Sequence, residues 1–199
     1  MSERNTMART LHDVGLAAWF GGSLMGAVGL NGAAADVDDP RQRARVANAG
    51  WGRWTPFNLV AIGAHLVGGA QLTRANRDRL ARQKGVAAMT LTKTALTGAA
   101  LGATGYSRVL GQKIMSAGDV PVAGGTSPLP TTPPEVASAQ KQLKALQWAI
   151  PGLTGGIIGL ASYAGEQQRP SQVRKGKRER AGQLARSAAM RKGDDLSRR

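Results

Sequence analysis

Four stretches of the chain are almost free of charge, and each is about as long as a bilayer is thick. Residues 14–35 (VGLAAWFGGSLMGAVGLNGAAA) hold no charged side chain over 22 positions. A helix rising about 1.5 Å per residue over that length matches a hydrocarbon core of about 30 Å. Residues 55–72 and 146–165 are likewise uncharged over 18 and 20 positions, and residues 86–107 hold one charge, Lys93. In lipid every backbone polar group must be satisfied inside the protein, which selects helix for such segments. The pattern predicts an all-α fold, a polytopic integral membrane protein with a four-helix transmembrane bundle. Residues 1–13 form its cytoplasmic N-terminus, 14–166 the four-span domain (14–35, 55–72, 86–107, 146–165), and 167–199 a basic cytoplasmic tail.

The mean hydropathy of −0.24 conceals this segregation, because it averages apolar stretches with densely charged ones. The net charge of +15 is concentrated in two places. Arg74, Arg77, Arg79, Arg82 and Lys84 face only Asp78 in the 72–85 block, and the last 31 residues carry eleven basic against three acidic groups. Basic residues in short loops stay on the cytoplasmic side. Four spans put both blocks on that side together with the N-terminus; an odd number would divide them. The charge pattern thereby supports residues 86–107 as a span despite their Thr content and Lys93, whose amine can extend to the interface beside the basic 72–85 loop. Arg4 and Arg9 ahead of an apolar run closing on Ala33-Ala34-Ala35 also resemble a signal peptide. The 22-residue length and the three later apolar stretches favour a retained span.

Zero cysteine excludes disulfides, thiolate metal sites and a cysteine nucleophile. Aromatics are 4% of the chain while glycine supplies 27 residues, so close helix approach has to replace bulky packing. Gly22, Gly26 and Gly29 share one helix face; Gly98 with Gly102, and Gly155 with Gly159, repeat the four-residue spacing. Small faces of this kind let membrane helices pack tightly. The two histidines, His12 and His65, are the candidate metal ligands. His12 lies at the cytoplasmic mouth of the first span and His65 about three turns in from the outer start of the second, so the two are expected at different depths, unable to grip one haem iron. A neutral His65 hydrogen-bonded inside the bundle, and an interfacial His12–Asp13 pair, are the plainer readings. No phosphate loop, HExxH or nucleophile elbow is present, and the expectation is a protein that is not an enzyme and carries no cofactor.

Leu11-His12 followed by Trp19-Phe20-Gly21-Gly22 resembles the first-helix pattern of the copper resistance D family and related small bacterial four-helix membrane proteins. Arg53-Trp54 leading into the second span is a fainter echo. The resemblance covers about 14 residues and implies copper handling at the membrane, with His12 as the residue carried over.

Between the spans, residues 36–53 read as an outer loop holding a short helix that opens at Asp38-Asp39-Pro40-Arg41 and closes at Trp51 and Trp54 in the interface. Residues 117–134, with five prolines and three glycines, read as an extended loop that resists helix and strand. Residues 135–144 read as helix leading into the fourth span, whose Trp148 and Tyr163 sit where interfacial aromatics are favoured. In the tail, Arg174, Lys175, Lys177, Arg178 and Arg180 suit anionic lipid headgroups or an acidic partner. The tail has no stacking aromatic and no recognised module, which argues against nucleic acid. The functional expectation is an accessory or scaffold subunit of a larger membrane assembly or a homo-oligomer, in the cell membrane with both termini cytoplasmic. Copper or small-solute transport is the first alternative and a soluble nucleic-acid binder the second.

Overall fold

The computed structural model describes residues 5–77 and 84–167. Helix α1 (Thr6–Met25) runs through a wide π-helical turn (Gly26–Leu30) into α2 (Asn31–Ala35), making one rod. Helices α3 (Pro40–Ala75) and α4 (Lys84–Ser116) come next in the chain. A two-stranded hairpin, β1 (Val122–Gly124) with β2 (Ser127–Pro128), then precedes α5 (Pro134–Gln167). Among the described residues the protein is all-α apart from that hairpin. Among the described residues one helix, Thr6–Ala35, is long and apolar enough to cross a membrane by length and composition.

Residues 36–53 are not a loop with a separate short helix. Asp39 caps α3 by accepting from the Arg41 backbone N–H (3.0 Å), and Pro40 occupies the first turn, where a missing N–H costs nothing. From there the helix continues unbroken for 36 residues through Arg53 and into the second apolar stretch. Pro56, though it opens the second apolar stretch, therefore lies inside a helix and not in a first turn. Nothing between Asn48 and Thr55 stops a helix, and the tertiary contacts of Trp51 and Trp54 hold it. The expected run from 135–144 into the fourth apolar stretch is present as the single helix α5.

The Pro- and Gly-rich segment also departs from its expected form. Val122 pairs with Pro128 and Gly124 with Ser127 in an irregular antiparallel ladder, and Val122 is completely buried. Composition disfavours strand here, but partners elsewhere in the chain satisfy the backbone. Gln140 Nε2 donates to the carbonyls of Gly124 (2.9 Å) and Gly125 (3.3 Å), and Arg43 donates to Ala123 O (3.2 Å). Thr132 Oγ1 accepts from Leu129 N and donates to Pro121 O. Gly118, at φ +79°, ends α4 in a left-handed conformation that suits glycine.

Two apolar clusters hold the helices together. Leu110 and Ile114 of α4 pack with Val136, Ala139 and Leu143 of α5. One helical stretch further along, Trp19 of α1, Ile62 of α3, Ala100 of α4 and Ile150 of α5 meet in a second cluster, so all four long helices share one core. The described residues up to Ile158 belong to one compact unit; the described part of the other, Gly159–Gln167, is the last stretch of α5.

Candidate functional site

The antiparallel pair α1 and α3 sets the register of the molecule. A Cβ on Gly15 would lie 2.6 Å from the backbone N of His65, and one on Gly68 would lie 2.5 Å from the backbone N of His12. Two α-helix backbones touch at these points. Further along, the Trp54 indole covers Gly22, the Trp51 indole covers Gly26, and Leu30 covers Gly50. Successive contacts forward along the rod meet positions successively further back along α3, as an antiparallel pair requires. Trp51 and Trp54 are thus packing residues on α1 rather than interfacial stops.

That register overturns the expected separation of the histidines. Aligning the two apolar stretches end to end would set residue 14 opposite residue 72. The structure instead sets Gly15 against Ala61 and His65, a slip of about two turns. His12 and His65 are consequently neighbours, with ring centroids 4.3 Å apart and planes at 41°. The Trp19 ring, fully buried, stands edge-on to His65 at 6.2 Å. His65 Nδ1–H donates to the backbone carbonyl of His12 (3.1 Å), and His12 Nδ1–H donates to Asp13 Oδ1 (2.8 Å). In a neutral imidazole that donates from Nδ1, Nε2 is the acceptor. Trp19 Nε1 is fixed in turn by Thr104 Oγ1 of α4 (3.2 Å). Asp13 and Lys93 are charged groups whose fields reach His65. Among the described residues no group of three or more His, Cys, Asp or Glu side chains is gathered as a metal site.

The other sequence-selected positions fall into three classes of surroundings. Gly22 and Gly26 lie under indoles, and a Cβ on Gly155 would lie 3.1 Å from the Phe20 ring. Gly29 has only Met25 of its own helix nearby (Sδ 3.5 Å), and Gly98, Gly102 and Gly159 have nothing within 4 Å. Lys93 is half-buried on α4. Arg174, Lys175, Lys177, Arg178 and Arg180 lie outside the described residues, as do residues 1–4 and the 78–83 part of the basic loop.

Sequence reasoning missed Gly15, although it stands seven before Gly22 on the same face. It also missed a polar relay at the far end of the rod. The π turn inserts an extra residue and shifts the helical phase of α2 relative to α1. Asn31, the first residue of α2, donates through Nδ2 to Gln147 Oε1 (2.5 Å) and accepts from Trp51 Nε1 (3.2 Å). Asn48 Nδ2 donates to Gly111 O (3.1 Å). Asn31, Trp51, Gln147 and Asn48 are thus held by polar pairing between helices, alongside the apolar clusters. Comparison with protein-family models, with curated proteins and with solved structures finds no match to this chain.

Proposed function

We propose that the chain is a non-enzymatic integral membrane protein of four spans, with both termini cytoplasmic, acting as an accessory or scaffold subunit in a larger membrane assembly. The observation that carries this reading is the large apolar surface that the helices turn outward, together with several uncharged polar side chains buried beside the apolar core. His65, Gln140, Gln147, Thr154 and Ser23 are buried, whereas Val14, Phe57, Val60, Val67, Leu91 and Trp148 are exposed. Of fifteen exposed large apolar side chains among the described residues, all but Met7, Val46 and Val109 fall inside the four low-charge stretches. Large apolar surface facing outward suits lipid or a membrane partner. The open small-residue stripe at Gly98 and Gly102 offers such a partner a close approach. The basic tail residues would meet anionic headgroups on the cytoplasmic face.

Purification in mild detergent after a carbonate wash tests the proposal. Retention in the washed pellet with partners at fixed stoichiometry, lost in Gly98→Leu/Gly102→Leu, supports it; release into the wash removes the membrane reading and returns the soluble nucleic-acid alternative. The neighbouring His12 and His65 favour a second reading, copper or small-solute transport, to which the first-helix resemblance also points. Copper bound at a fixed ratio to the purified protein and lost in His12→Ala and His65→Ala would favour it; a metal-free protein indifferent to added copper would exclude copper.

A further inference from the structure

A cavity of about 400 Å³ lies among α1, α3, α4 and α5, near the lower end of the range of about 300–1,000 Å³ typical of small-molecule sites. The indoles of Trp19, Trp51 and Trp54 contribute to its wall together with aliphatic side chains such as Ile114, Leu143 and Ile150. Among the described residues Arg108 is the one charged residue that lines it, and no carboxylate does. The exposed members of the lining are Leu59 of α3 and Gly105, Arg108 and Val109 of α4. The mouth therefore lies between these two helices and carries a cation beside apolar residues. On one side of it α3 and α4 meet, where Asn48 Nδ2 donates to Gly111 O (3.1 Å). Nearly two turns earlier on α4, Gly105 supplies no side chain and a Cβ there would meet nothing within 4 Å, which leaves the mouth open.

Helix geometry turns Arg108 toward that mouth. It stands four residues after Thr104 and three before Gly111, the spacing of one helix face. Both flanking positions look inward: Thr104 Oγ1 accepts from Trp19 Nε1 (3.2 Å), and a Cβ on Gly111 would lie 3.6 Å from Asn48 Oδ1. Helical side chains lean toward the N-terminus of their helix, which carries that of Arg108 toward Gly105. Among the described residues it makes no hydrogen bond or ion pair; the two ion pairs are His12–Asp13 and Arg45–Asp119. We infer that the cavity binds one long-chain carboxylate, its chain among the indoles and its head on Arg108 at the mouth. Methylene groups gain burial and dispersion against such a wall. The guanidinium fork matches a carboxylate with two parallel hydrogen bonds, and one cation with no acid beside it selects a monoanion over an amine or a neutral ester. A cavity of this size suits a single chain better than a diacyl lipid. The chemistry of head and chain goes beyond the scaffold reading and does not rest on it.

The test uses full-length Trp148→Phe protein in phosphatidylcholine nanodiscs at about pH 9, because a carboxyl at a bilayer surface ionises late. Trp19, Trp51 and Trp54, all in the cavity wall, then supply all the indole emission. The probe is cis-parinarate, a long-chain conjugated carboxylate that absorbs that emission. Saturable energy transfer at one probe per chain is expected. Stearate should displace the probe at least tenfold more effectively than methyl stearate or dioleoylphosphatidylglycerol at equal mole fraction in the disc. Arg108→Gln should weaken probe binding at least tenfold, and Arg108→Lys, which keeps the charge but not the fork, severalfold. Both variants should unfold at the parent's temperature, because the side chain is exposed. Transfer that rises without saturating, equal displacement by the methyl ester, displacement by phosphatidylglycerol that matches or exceeds that by stearate, or unaltered binding in Arg108→Gln would overturn the inference. Carbonate extraction of the same protein scores the membrane reading separately; protein released by the wash is titrated in aqueous buffer with the same probes, and the same outcomes decide.

Discussion

The contrast between glycines that touch backbone and glycines that touch nothing organises the chain at the residue scale. At Gly15 a methyl group would meet the backbone of α3, which cannot rotate away as a side chain does. Gly15→Val is expected to lower stability by about 3 kcal/mol or more, read from unfolding in a denaturing-detergent titration. Gly98→Ala meets open space and gains helix propensity, so it should raise the stability of the isolated chain by up to about 1 kcal/mol. A single stripe-like reading of all the glycines predicts equal losses and would be refuted by that split. Asp39 supplies a pH-dependent effect. The Arg41 backbone N–H, aided by the Gln42 side-chain amide, holds its carboxyl below the usual 3.8. A depressed folded value means that the cap is fully stabilising above about pH 4 and is lost as pH falls through the lower, folded value. Amide exchange at Arg41 and Gln42 should therefore accelerate only below that point. In Asp39→Asn, which caps without titrating, the acceleration should vanish.

At the scale of elements, the rod from Thr6 to Ala35 is joined to the rest of the protein by apolar contact near its middle and by polar contact at Asn31. Trp19 is buried among Ile62, Ala100 and Ile150, whereas Asn31 is held by Gln147 and Trp51. Removing one member of a buried polar pair strands the other. Gln147→Leu is expected to cost about 1–3 kcal/mol in thermal unfolding, and Asn31→Leu/Gln147→Leu less than the sum of the single changes. Strict additivity would mean that the two side chains do not interact. The elements also show what local signals convey. The cap at Asp39 and Pro40 was readable from sequence, as was the run from residue 135 into the fourth apolar stretch. The continuity of α3 through Arg53 was not, because charged side chains interrupt hydropathy without interrupting helix. The hairpin was hidden for the complementary reason: its strands are supported by Gln140 and Arg43, distant in sequence.

At the scale of the whole molecule the proposed topology makes a direct prediction, helped by the absence of cysteine. Single substitutions can be labelled without background. With four spans and cytoplasmic termini, Asp38→Cys and Thr131→Cys should react with an impermeant maleimide on intact cells, and Ser171→Cys only after permeabilisation. Labelling of Ser171→Cys on intact cells would reverse or break the topology. Helices α3, α4 and α5 contain 36, 33 and 34 residues, about 50 Å or more at 1.5 Å per residue. Each would extend well beyond a core of about 30 Å, leaving the hairpin and the capped start of α3 in an extramembrane layer.

Sequence alone determined that the chain is helical and where its charge and apolar length lie, because both are local properties, legible in consecutive residues. His12 and His65 were legible as candidates, and Gly22 and Gly26 as a small face. Their partners were not. Only the tertiary structure decided that His12 meets His65 and that Trp51 and Trp54 close on Gly26 and Gly22. The physical reason is register. Two antiparallel helices can slide past one another by a turn with little change in composition along either, and the stopping point is set where each large side chain finds a glycine opposite it.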